Sequence, residues 1–379
     1  MEHYLDNAAT TRVSPVAIRA AVAAMKDNFG NPSSRHEAGK RAEQLVKNSR
    51  EVIARAMGAD SGEVFFTSCG TESDNWAIRG AVELNKRVGK HIVTTAIEHD
   101  AVLAPCRALE QQGYEVTYLQ PDKQGNITAA QVADALREDT ALVSVMLVNN
   151  ELGTILPVAE IAKVLRERKS KALFHCDAVQ GFLKVPFTVK ELGVDLLSIS
   201  GHKVHVPKGI GALYIRKGVR LPAHLLGGGQ EGGLRSGTEP TAQIAAFAAA
   251  VAEGVADFDT EQAHLRMLKE YTLERLNALL PNAKRVGEGE APHVLAITLP
   301  GYKSEVVVRF LSDRGVYVSS GSACHKGKPS HVFAALKLDK KQLDGVLRVS
   351  FCGDNTKEDV DALMDGLVQA GQQLFTSLS

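Results

Sequence analysis

Helix-like and strand-like patterns alternate through the first two-thirds of the chain. Ser14 before Pro15 sets a cap ahead of proline at the first helical position, and opens a helix to about Asn28. The periodic, charged stretch Arg35 to Met57 predicts a long helix that Gly58 stops. Val64 to Thr67 is a short apolar strand, followed by Ser68-Cys69-Gly70-Thr71 and a helix to about Arg87. His91 to Thr95, Val116 to Leu119, Ala172 to His175, Leu196 to Ser200 and Gly211 to Ile215 read as further strands. Ala141 to Val148 is nearly all apolar, as a strand buried on both faces requires. Ala101 to Gln112 is helical, Thr128 with Gln131 forms a capping box, and Pro157 opens another helix. Strands separated by helix-length segments predict right-handed crossovers and an α/β fold with a mainly parallel sheet covered on both sides.

The glycine-rich stretch Gly227 to Gly237 breaks this order. An alanine-rich helix follows, from about Thr241 to Val255, and then a charged helix from about Thr260 to Leu280. The second helix reads as the bridge to a smaller α+β unit. That unit holds a helix near Ser304 to Arg314, strands at Val316 to Ser319 and Leu347 to Phe351, and a last helix capped at Thr356. Residues 13–255 are accordingly read as a large domain, with 1–12 and 256–379 forming the small one. There is no internal repeat.

Composition narrows the classes. The 379 residues are 44% hydrophobic and 23% charged, the mix of a globular protein with a large core. Lys plus Arg equals Asp plus Glu at 44 each, so a basic field for nucleic acid is not expected. The longest apolar run, Ile244 to Ala252, is too short to span a bilayer, and the first residues do not resemble a signal peptide. A cytoplasmic location with no membrane partner is the expectation. The five cysteines, Cys69, Cys106, Cys176, Cys324 and Cys352, are widely spaced, which argues against a disulfide framework and against a metal site.

Four predicted strand ends carry polar residues, where open α/β sheets bind ligands. At Ser68-Cys69-Gly70-Thr71, glycine permits a tight turn and the next helix offers free N–H groups to a phosphate. Val148 to Glu151 ends an apolar strand on two asparagines, which also suit a plain turn. His175 to Gln180 puts Asp177 at a buried strand end, where it needs a positive or hydrogen-bonding partner: a protonated pyridine nitrogen or a nearby arginine. Ser200-Gly201-His202-Lys203 places a lysine directly after an apolar strand. Desolvated there, its amine is a nucleophile and a base; the alternative is a lysine that merely reaches solvent.

Together these stretches resemble the fold-type I pyridoxal-phosphate enzymes, and more closely the cysteine desulfurases of the class V aminotransferase group. The matching segments are Tyr4 to Thr11 (YLDNAATT), Gly30 to Ser34, Thr67 to Asn75, Glu98-His99, Val148 to Gly153, His175 to Gln180, Ser200 to Lys203, Arg235 to Thr238 and Ser319 to Cys324. They span nearly the whole chain in the family's order. The resemblance implies a large domain with a seven-stranded-type sheet and a small C-terminal α+β domain. It implies pyridoxal 5'-phosphate held by Lys203 as a Schiff base. Asp177 would pair with the pyridine nitrogen, Gln180 donate to the phenolic oxygen and His99 stack on the ring, with Asn150 close to cofactor and substrate. Gly70, Thr71, Ser200 and His202 would hold the phosphate, and Thr238 would reach the phosphate of a neighbouring subunit, implying a homodimer. Arg348 would bind the substrate carboxylate, with Asn31 assisting.

Cys324 sharpens the expected reaction. It lies among small residues beside His325, Lys326 and Lys328, which favour thiolate over thiol. The resemblance implies that L-cysteine becomes L-alanine while Cys324 carries the sulfur as a persulfide to an acceptor protein or small thiol. Lys203 would move the Cα proton. Iron–sulfur cluster biogenesis is the family's usual destination. The loop from Cys324 to Pro329 is about two residues shorter than in the long-loop members, which opens the prospect of a dedicated acceptor. A selenocysteine lyase or another class V enzyme is the first alternative, and a non-catalytic sulfur-relay or scaffold protein the second.

Overall fold

The computed structural model describes residues 2–320 and 330–376. A short first strand, β1 (His3–Tyr4), precedes seven strands of one large sheet: β2 (Val64–Thr67), β3 (His91–Thr95), β4 (Glu115–Leu119), β5 (Thr140–Ser144), β6 (Leu173–Asp177), β7 (Leu196–Ser200) and β8 (Gly211–Ile215). Their spatial order is β2-β8-β7-β6-β5-β3-β4. Neighbours from β7 to β4 are parallel, as the alternating pattern predicts. β8 is antiparallel to both β7 and β2. The reason is the connection: only residues 201–210 separate β7 from β8. A parallel return needs a crossover of about a dozen residues or more.

A small sheet follows, with β9 (Lys284–Arg285), β10 (Val294–Thr298), β12 (Ser319–Ser320) and β13 (Val346–Ser350) in the order β12-β13-β10-β9. β11 (Val316–Tyr317) instead pairs in parallel with β1. The single strand expected at Val316 to Ser319 is therefore split between two sheets. β10, buried throughout, is a strand that the periodicity reading did not assign.

The local signals act as expected. Ser14 accepts from Ala17 N at the first helix, Pro15–Asp27, and Gly58 sits at φ 68° after the helix Glu37–Met57. Thr128 and Gln131 form their capping box. The buried side chains of the large sheet and its helices, including Phe174, Phe182 and Phe247, make one apolar cluster. Each such ring contributes about 1.5–3 kcal/mol relative to exposure. A second cluster joins Leu5 to Leu265, Leu295, Val318 and Leu347, so the N-terminal segment packs with the small sheet. Among the described residues no helix is long and apolar enough to cross a membrane.

Candidate active site

The ends of β2, β6 and β7 converge on a cavity of about 400 Å³. Gly70, Thr71, His99, Asn150, Asp177 and Gln180 line it, as do Ser200, His202, Lys203 and Arg348. Ten of the thirteen residues singled out from sequence are therefore brought together.

The floor is built for an anion. The helix Gly70–Leu84 starts at the cavity and presents its first N–H groups there. A Cβ at Gly70 would stand 2.8 Å from Val179 Cγ2 and 3.3 Å from Ser200 Cβ, so glycine lets the turn sit close against β7. Ser200 Oγ is buried without a hydrogen-bond partner among the described residues. A buried hydroxyl left so costs about 1–3 kcal/mol, and a phosphate oxygen would satisfy it. His202 Nδ1 lies 3.2 Å from Thr10 Oγ1. Burial, then the charges of Lys203 and Lys208, pull its imidazole down to about 4, so it is neutral at pH 7.

Lys203 stands on the short turn after β7, and its Nζ donates to the carbonyls of Ala8 (2.6 Å) and Ala9 (2.8 Å). Gln180 Nε2 donates to the same Ala8 carbonyl at 2.8 Å, and its Oε1 lies 3.3 Å from His293 Nε2. Asp177 ends β6, accepts from Val179 N at 2.9 Å, and is pushed up to about 7 by burial and then by the carboxylate of Asp74. A buried carboxylate of this kind suits a cationic partner such as a pyridinium. His99 caps the helix Asp100–Glu110, its Nδ1 accepting from Ala101 N at 3.1 Å, which fixes the ring at the cavity edge. The residues present thus fit pyridoxal phosphate: an anion cradle, an amine, a carboxylate for the ring nitrogen and an amide donor.

Arg348 is buried on β13, and its guanidinium donates to Asn150 O (3.1 Å) and Asp6 Oδ1 (2.8 Å). Asn31 and Thr238 are both exposed and do not line this cavity; Asn31 Oδ1 accepts from Ser33 N. Cys324 lies outside the described residues.

Besides Asp6 and Asp100, which also line the cavity, three acidic groups lifted by burial have no role in the sequence reading. Asp74 and Glu151 line the cavity, each pushed up to about 7 by burial. Glu98, fully buried, is raised well above the ordinary range by burial, while its Oε1 accepts from Thr95 Oγ1 and Met146 N. Asp74, Glu98 and Glu151 all fall inside matched segments, which is a signal for each. Asp74 sits within a helix, where an acidic residue ordinarily reads as surface.

The family described as Aminotransferase class-V matches residues 3–363. A protein of Methanosarcina thermophila named cysteine desulfurase IscS is 42% identical over 377 residues, covering 98% of this chain and 92% of that one. A cysteine desulfurase of Nostoc sp. is 40% identical, covering 98% and 93%. Among solved structures, a NifS-like protein superposes with a TM-score of 0.93 at 35% identity, covering 99% of this chain and all of that one. A structure described as SspA in complex with cysteine gives a TM-score of 0.81 at 35% identity, covering 94% and all of that chain.

Proposed function

The chain belongs to the class-V aminotransferase family, and from that membership and the site just described we infer that it is a pyridoxal-phosphate-dependent cysteine desulfurase, converting L-cysteine to L-alanine and bound sulfur. The observation that carries the reading is the convergence of Lys203, Asp177, Gln180 and the unsatisfied Ser200 hydroxyl on one cavity. A related structure described as a complex with cysteine supports the substrate.

Pyridoxal phosphate, when bound, supplies the electron sink that makes the substrate Cα proton removable. Gly70, Thr71, Ser200 and His202 would hold its phosphate, Asp177 its ring nitrogen, Gln180 its phenolic oxygen, and His99 its face. Lys203 Nζ anchors it and serves as the base at Cα. Arg348 binds the substrate carboxylate beside Asn150. The Cys324 thiolate takes the substrate sulfur, forming an S–S bond as the C–S bond breaks, and passes it to an acceptor protein or small thiol. Iron–sulfur cluster assembly is the destination proposed for that sulfur. A cytoplasmic setting suits a chemistry that runs on reduced thiols.

We also propose a homodimer. Ile18, Val22 and Met25 on the first helix, with Phe29 just beyond it, form an exposed apolar stripe, and Phe29 is 73% exposed. Thr238, exposed and away from its own cavity, is free to serve a partner's site. Light scattering is expected to give twice the chain mass.

The decisive experiment is Cys324→Ser. The variant is expected to keep the yellow colour of the bound cofactor and to stop releasing sulfide from L-cysteine in the presence of a thiol. Undiminished sulfide release would remove Cys324 from the mechanism. Alanine formation from cysteine with no keto acid present separates desulfuration from amino-group transfer.

A further inference from the structure

The stretch Tyr4 to Thr11 carries an acidic residue to which neither cofactor binding nor sulfur transfer assigns a task. Asp6 is bridged to Ser350 at the end of β13. Asn7 reinforces the join, its backbone N (3.3 Å) and its Nδ2 (3.0 Å) both donating to Ser350 O. Two residues before Ser350 on the same strand stands Arg348. The carboxylate of Asp6 therefore meets the guanidinium, with Nη2 donating to Oδ1 at 2.8 Å. From the other side Nη1 donates to the carbonyl of Asn150 at 3.1 Å. Both Asp6 and Arg348 line the cavity.

A guanidinium presents five N–H groups in one rigid plane. With one N–H of each terminal nitrogen engaged, Arg348 can neither rotate nor flip without breaking one of these contacts. Its Nε is buried and has no partner among the described residues. An unsatisfied buried donor on the cationic group of a cavity marks where an anionic oxygen belongs. The other acidic neighbour, Glu151, accepts from Ser330 Oγ instead of pairing with Arg348, and burial holds it up near 7.

We propose that Asp6 is the positioning residue for substrate-carboxylate recognition: it locks the Arg348 guanidinium so that the Nε edge receives the carboxylate of the incoming amino acid. The proposal rests on reading Arg348 as the carboxylate receptor. On this reading Asp6 acts through Arg348, with which it pairs at 2.8 Å, rather than on the cofactor or the reacting atoms. Its effect therefore falls on ligands that have a carboxylate and spares those that lack one.

The test uses cofactor-loaded enzyme titrated with L-alanine or ethylamine and followed by cofactor absorbance. Both amines react with the cofactor, and only alanine has a carboxylate. Asp6→Ala is expected to weaken L-alanine about tenfold or more, and ethylamine by less than about twofold. Asp6→Asn keeps an acceptor oxygen without the charge and is expected to fall between; it also serves if the alanine variant does not fold. With L-cysteine, KM is expected to rise while kcat changes by less than about threefold. Equal weakening of both amines, or no weakening of either, would overturn the proposal. Arg348→Ala separates the two readings. If it preserves the preference for alanine over ethylamine, Arg348 is not the receptor. If it abolishes the preference while Asp6→Ala keeps it, Asp6 alone is wrong.

Discussion

Asp177→Asn tests whether the buried carboxylate is costly to the fold until a cofactor cation pairs with it. Asp177 is 5% exposed, and burial followed by the Asp74 carboxylate lifts it from 3.8 to about 7. Between those two values the folded apoprotein holds a proton that the unfolded chain has released. Stability of the apoprotein therefore falls as pH rises through that window, and the loss is complete above about 7. The loss is on the order of a few kcal/mol and belongs to the Asp74–Asp177 pair, because both carboxyls are lifted into the same range. Asparagine keeps an oxygen for Val179 N and carries no titratable proton. The apo variant is then expected to match wild type near pH 4 and to exceed it by roughly a few kcal/mol at pH 8. Part of the pH dependence persists in the variant, because burial also lifts Asp74. With cofactor bound the order reverses at pH 8, because a cation beside Asp177 repays its ionisation only when the carboxylate is there. The assay is urea unfolding of apo and loaded forms of both proteins at pH 4, 6 and 8. Parallel stability–pH curves for the two apoproteins would refute the reasoning, as would equal stabilisation of both by pyridoxal phosphate.

Two further substitutions probe the frame around the site. Gly70→Ala puts a methyl 2.8 Å from Val179 Cγ2, and is expected to cost about 1–3 kcal/mol and to lower cofactor affinity, measured by thermal unfolding and absorbance titration. An unchanged melting point and unchanged affinity would mean the turn has room to spare. Arg50→Ala leaves Glu231 buried without its bidentate partner (2.6 and 2.7 Å), and is expected to cost about 3–5 kcal/mol in urea unfolding. Arg50→Lys restores one contact and should recover part of the loss; a loss well under about 1 kcal/mol for the alanine variant would mean Glu231 is satisfied by Phe66 N alone.

Much of the site was legible because its residues follow apolar runs. Asp177 closes β6, Ser200 closes β7, Lys203 follows three residues later, and Gly70 opens a helix directly after β2. Polar residues at those places conflict with their surroundings, and the conflict is visible without coordinates. The caps at Ser14, Gly58 and Thr128 were equally readable, since their partners lie within four residues.

What the chain order alone determined was thus the alternation of elements, the local caps and the chemistry waiting at strand ends. Only the tertiary structure decided which distant groups meet. β8 runs antiparallel because its connection is short, and Arg348 meets Asp6 across 342 positions of sequence because β13 is bridged to the N-terminal segment. Asp74 became a cavity carboxyl only when its helix was laid against β7 and β6. Local pattern records the cost of placing a residue in its own element. Burial and pairing are set by which elements the crossovers bring together, and no window of neighbouring residues contains that information.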